Sequence, residues 1–244
     1  MLIRAIRAEQ MKLHRSPVWL AFVIMPVLPA VMGTFNYLQN LAILDEDWYS
    51  LWTQQTLFTC YFFLPALIGV YCSYLWRLEH THYNWNTVMT APIPPADLYW
   101  AKLLATAGMV VLTQAWVGVL FLVSGKLSGL GGLPPAEMGL WLASGILGGV
   151  VIGALQLCVS LVIRSFAVPV GVALVGGIGG LLTMAKGFGV WMPYALVSLG
   201  MRANNPTGEM AASPILFVVN SLVFIALFSL FATLWLSKRD VTAG

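Results

Sequence analysis

Residues 76–102 read WRLEHTHYNWNTVMTAPIPPADLYWAK, a polar and aromatic stretch with a long apolar run on each side. Leu78, Trp85 and Met89 recur at close to helical spacing, while Glu79, His80, His82, Asn84 and Asn86 occupy the other faces. Pro92, Pro94 and Pro95 then stop the helix, because proline lacks the amide donor and crowds the turn before it. The pattern predicts a short amphipathic helix between two membrane spans, stopped by prolines and restarted into the next span. Two readings fit it: a docking surface, or a surface loop with one helical turn.

The flanking runs fix the class. The chain has 244 residues, of which 59% are hydrophobic and only 9% charged, with a mean hydropathy of +0.85. Soluble domains carry about 25% charged residues, so the expected fold is an all-α membrane protein. Six segments reach the roughly 20 apolar residues that a hydrocarbon core of about 30 Å requires: approximately 18–38, 53–75, 103–123, 138–163, 166–185 and 214–236. None of these limits encloses a charge; Lys102, Glu137, Arg164 and Lys186 sit just beyond the ends. Charges at the bilayer centre are costly and mark ion or proton pathways, so their absence disfavours an ion-coupled carrier. Asn36, Gln54, Gln55, Gln114, Gln156 and Asn220 are the main polar groups within or beside the spans and read as interhelical hydrogen-bond partners.

Residues 1–16, MLIRAIRAEQMKLHRS, set Leu2, Ile3, Ile6, Met11 and Leu13 among Arg4, Arg7, Lys12 and Arg15. This predicts an amphipathic helix along the membrane surface, attracted by anionic headgroups, with no nucleic-acid role. No cleavable leader is expected, since the first apolar run has span length and lacks a small-residue cleavage site. Counting Lys and Arg in the connections gives nine on the side of the N-terminus against three (Lys126, Lys186 and Arg202) on the other. By the positive-inside rule both termini and residues 76–102 are cytoplasmic. The acidic turn Asp45, Glu46, Asp47 is then external, and could either attract a cationic ligand or simply be solvated. The expected division is an interfacial helix over 1–16 and a permease domain over 17–240, with a coupling segment at 76–102 and an outer element at 186–212.

Gly145, Gly149 and Gly153 lie four residues apart on one helix face. Such a stripe lets another helix approach closely, within the chain or in a second subunit. The apolar segment 187–201, GFGVWMPYALVSLGM, is too short to cross and is broken by Pro193. It is expected to be re-entrant or interfacial and buried against protein, as unsatisfied backbone in a bilayer must be.

Catalytic signatures fail. A phosphate loop needs GxxxxGK followed by Ser or Thr, but Leu120 stands at the first glycine before Gly125-Lys126 and Leu127 follows. His80 and His82 lack a third metal ligand nearby, and Cys60, Cys72 and Cys158 sit singly in apolar runs as core residues. No carboxylate lies in a span to serve an intramembrane enzyme.

The pattern Glu79-His80, Trp85-Asn86, Thr90-Ala91-Pro92, Tyr99 and Lys102 resembles the permeases of the ABC type 2 exporter superfamily, and within it the lantibiotic-immunity branch. The motif covers about 25 residues; the architecture covers essentially the whole chain. The resemblance implies that residues between spans two and three contact a separate ABC ATPase dimer, through Arg77, Leu78, Glu79, His82, Trp85, Met89, Pro92 and Lys102. ATP and magnesium would then be held by that partner, with no cofactor in this chain. It also implies a bacterial cell membrane location and a second permease, different or a copy, met along Gly145, Gly149 and Gly153. The implied cargo is a cationic antimicrobial peptide passing Asp45, Glu46, Asp47, Gln54 and Gln114. Another exported cargo, or a non-transporting anchor or sensor, is the alternative.

Overall fold

The computed structural model describes residues 1–81, 85, 93–205 and 210–238. Every regular element in them is helical. The surface helix α1 (Leu2–Leu13) ends where Arg15 takes a left-handed backbone (φ 58°). Pro17 then caps α2 (Val18–Gln39), the first membrane-length helix, because its fixed φ suits a helix start. Asp47 caps α3 (Trp48–Phe58), accepting from the Ser50 amide at 2.7 Å. A π-helical turn, Thr59–Phe63, joins α3 to α4 (Leu64–His80) so that the two make one 33-residue span.

After the undescribed residues, Pro95 opens α5 (Pro95–Leu127), where its missing donor is harmless. Helices α6 (Glu137–Val162) and α7 (Ala167–Ala185) follow. Two single 3₁₀ turns, Gly189–Trp191 and Pro193–Ala195, lead into the short α8 (Leu196–Gly200). The last helix, α9 (Pro214–Lys238), closes the described chain. Six helices are long and apolar enough to cross a membrane. They overlap the six segments expected from hydropathy, and two of them, Trp48–His80 and Pro95–Leu127, run well beyond the expected limits.

The span formed by α3 and α4 is the centre of the fold: 72% of its most apolar window is buried, against 22% for α7 and for α9. Its buried aromatic side chains, among them Trp52, Tyr61, Tyr71 and Trp76, knit the other helices together. The broken segment 189–200 is exposed at Trp191 but buried from Tyr194 to Gly200. Ala195, Leu196, Val197 and Ser198 are inaccessible, and the Trp52 Nε1–H donates to the Met201 carbonyl at 2.8 Å. Its proline and short turns leave backbone carbonyls that a bilayer could not satisfy, and protein contacts supply partners.

The π turn has its own seat. A π turn inserts an extra residue and offsets the backbone from the regular ladder, and here the displaced Tyr61 carbonyl presses on Gly177 of α7. A β-carbon at Gly177 would collide with that oxygen, whereas one at Gly171 of the same helix meets nothing within 4 Å. On the other side, Pro26 and Pro29 of α2 line a small apolar cavity with Thr59 and Phe63. Because overpacking against backbone costs about 1–3 kcal/mol, Gly177→Leu is expected to lower the unfolding midpoint of the detergent-solubilised protein by several degrees. Gly171→Ala should leave it unchanged, as read by intrinsic tryptophan fluorescence on heating.

Candidate functional site

The ends of α4 and α5 meet under α1, and there the sequence places charges that apolar helices cannot bury alone. Lys102 lies two turns into α5 and is fully inaccessible. Its Nζ donates to Glu79 Oε1 at 2.8 Å, to both Glu9 carboxylate oxygens at 3.1 Å and to the Leu75 carbonyl at 2.7 Å. The ammonium also stands 4.6 Å from the centre of the Trp76 ring. Lys12, one turn after Glu9 on α1, bridges the same two carboxylates at 2.6 and 2.5 Å. Glu9 and Glu79 are each only 2% exposed. Two cations and two anions therefore neutralise one another inside the protein, and the cluster fastens α1 to both helices that lead into the central polar segment.

The electrostatics favour a persistent tie. Burial alone would lower the Lys12 pKa, but the neighbouring Glu79 and Glu9 charges and hydrogen bonds outweigh it and raise it above the ordinary 10.5. A raised lysine contributes stability that is complete below 10.5 and is lost only as pH climbs through the still higher folded value. The Lys12 contribution to the cluster is thus indifferent to pH around neutrality.

A second, aromatic layer lies beside the first. The Trp76 and Trp85 rings stack with centroids 5.7 Å apart. Trp85 Nε1–H donates to His80 Nδ1 at 3.0 Å, which makes Nδ1 the acceptor and leaves Nε2–H to donate to the Ser160 carbonyl at 2.9 Å. His80 is neutral in this arrangement and has both ring nitrogens engaged. Through it the start of the polar segment is tied to the end of α6.

The residues expected to contact an ATPase therefore divide. Glu79, Trp85 and Lys102 are buried, with Glu79 and Lys102 serving the charge cluster rather than the surface; Leu78 is half-buried. Arg77 is exposed, with its guanidinium 5.6 Å from the Phe166 ring. His82, Met89 and Pro92 lie outside the described residues. Lys102, expected just beyond the third span, instead sits within the helix that forms it, because α5 begins at Pro95. The sequence pattern marks Lys12 only as one of the basic residues of the surface helix, and it does not mark Glu9. The one available signal was an acidic residue on the buried face of an otherwise basic helix.

The other candidate sets are not brought together. Asp45 and Glu46 are exposed, while Asp47 is occupied as the cap of α3. Gln54 is half-buried and accepts from Asn36 Nδ2 at 2.5 Å, linking α3 to α2. Gln114 is buried in the core, its Nε2 donating to Met201 Sδ at 3.3 Å. Gly145, Gly149 and Gly153, expected at a subunit interface, are buried within this chain against Met201, Val110 and Thr106 respectively. The close approach that their missing side chains permit is used by the chain's own helices.

A six-span helical membrane protein with a surface helix locked to the ends of its second and third spans has the form of a transporter's membrane subunit. Residues 5–180 match the family of ABC-2 family transporter proteins, and the chain belongs to that family. Its members are membrane components of ABC transporters, and membership implies in general an ABC ATPase partner. No curated protein and no solved structure matches the chain.

Removing one partner from a buried ion pair costs about 3–5 kcal/mol, because the other charge is left uncompensated. Lys102→Met is therefore expected to destabilise the protein by about that amount. Adding Glu79→Gln to Lys102→Met should recover part of the loss, since a neutral Glu9–Lys12 pair remains. Thermal unfolding of the two single variants and the double variant measures this coupling, and strict additivity would contradict it.

Proposed function

We propose that this chain is the permease subunit of an ATP-driven exporter, and that force from a separate ATPase dimer enters through residues 76–102. The observation that carries the reading is the Glu9–Lys12–Glu79–Lys102 cluster. With it, α1, the end of α4 and the start of α5 move as one body, so a push delivered there reaches both spans together. The π turn at 59–63 supports the same reading, since π insertions recur at functional positions. In this mechanism the lower arm α4 swings about that turn against the upper arm α3. ATP and magnesium belong to the partner, and this chain supplies binding surface and motion.

Both termini and the coupling segment are cytoplasmic in this reading, in a bacterial cell membrane, as the distribution of Lys and Arg favours. The cargo is a lantibiotic-like cationic peptide taken from the membrane and expelled outward, and a second permease completes the pathway. The exposed carboxylates of Asp45 and Glu46 suit a cationic cargo on the outer side.

Trp85→Ala removes a buried indole, its stack on Trp76 and its hydrogen bond to His80. In cells carrying all subunits it is expected to reduce peptide tolerance and cargo-stimulated ATP hydrolysis severalfold while the assembled complex is still recovered. Unchanged tolerance with unchanged assembly would contradict the coupling role. Neutralising Asp45 and Glu46 together, and sparing Asp47 because it caps α3, should weaken tolerance more at low than at high ionic strength. Exposed charges are screened over about 10 Å at 0.1 M salt, so an effect independent of salt would remove these residues from the cargo path.

A further inference from the structure

An apolar groove of about 620 Å³ runs between α1, the start of α2 and the outer face of α5. Its α5 side carries Leu104, Gly108 and Leu112, four residues apart, with Ala105, Met109 and Val111 beside them. A β-carbon on Gly108 would meet nothing within 4 Å, so this side is open at its middle. Trp19 forms a wall, its Nε1–H held by the Leu13 carbonyl at 2.9 Å. The rim is polar, made by Gln10 of α1 and by His14 just past its end, both exposed. Arg7 is exposed on the same helix face as Gln10, one turn before it. The groove is thus apolar along a membrane-length helix and cationic at the end where that helix meets the surface helix.

We propose that this groove holds one anionic phospholipid, with an acyl chain along Leu104, Gly108 and Leu112 and its phosphate at Arg7 and His14. The volume lies within the roughly 300–1,000 Å³ typical of small-ligand sites, and anionic headgroups are drawn to basic surface helices. Charge selects this occupant over a cationic peptide, which Arg7 would repel. The inference depends on neither the cargo nor the direction of transport.

Native mass spectrometry of the full-length purified protein, titrated with phosphatidylglycerol and with phosphatidylcholine of identical chains, tests the site. Wild type is expected to retain one phosphatidylglycerol with about fivefold preference, the equivalent of about 1 kcal/mol for one arginine near a headgroup. Gly108→Trp should cut retention of both lipids about fivefold or more by filling the groove, and Arg7→Gln should abolish the preference alone. If Gly108→Trp unfolds at a lower temperature than wild type, Leu112→Trp is read in its place. Equal retention of the two lipids by wild type would overturn the proposal. So would unchanged retention in the filled variant, or a filled variant that instead lost association between copies.

Discussion

One lysine ammonium in a dry interior organises the basic end of this molecule. Lys102 cannot be hydrated where it lies, and an isolated ammonium moved into a low-dielectric interior would be strongly penalised. Two carboxylates, the Leu75 carbonyl and an indole face replace its water shell. The carboxylates come from different places in the chain: Glu79 from the central span, and Glu9 from a helix that would otherwise only lie against the membrane. Satisfying one charge therefore requires three elements to converge. Lys12 completes the balance by supplying the second positive charge.

That convergence gives the aromatic layer its order. Trp76 lies beneath the ammonium and beside Trp85, and Trp85 in turn fixes the tautomer of His80. A chain of contacts thus leads from the charge cluster through two indoles and an imidazole to the Ser160 carbonyl at the end of α6. From the π turn to the other end of the same span the links are of another kind. There the indole of Trp52 reaches the Met201 carbonyl and the Tyr61 carbonyl settles on Gly177, so backbone complementarity replaces charge. The central span carries both, and Tyr61 lies within the π turn itself.

The count of spans was legible because length and hydropathy report directly on what a bilayer accepts. Their ends were not, because the terminal turns of these helices carry polar and charged residues that resemble connections. Trp48 to Trp52 and Asp97 to Lys102 are helical by virtue of the Asp47 cap and the Pro95 start, signals weaker than an apolar run. The broken segment before the last span was legible from Pro193 and from insufficient length. The glycine stripe was legible as a close approach, but spacing along one helix cannot say which helix approaches. The charge cluster was legible only as its separate members, since residues 9, 79 and 102 share no local pattern and meet only through the fold.

The distance along the chain between those members has a consequence for how the protein is made. Glu9 leaves the ribosome 93 residues ahead of the lysine that will neutralise it, with two membrane crossings still to be synthesised in between. Until the third crossing is inserted, the leading helix has Lys12 but not its buried counter-ion, and it must wait at the water-facing surface. Its docking therefore cannot precede the third of six crossings, the point at which half of them are in place.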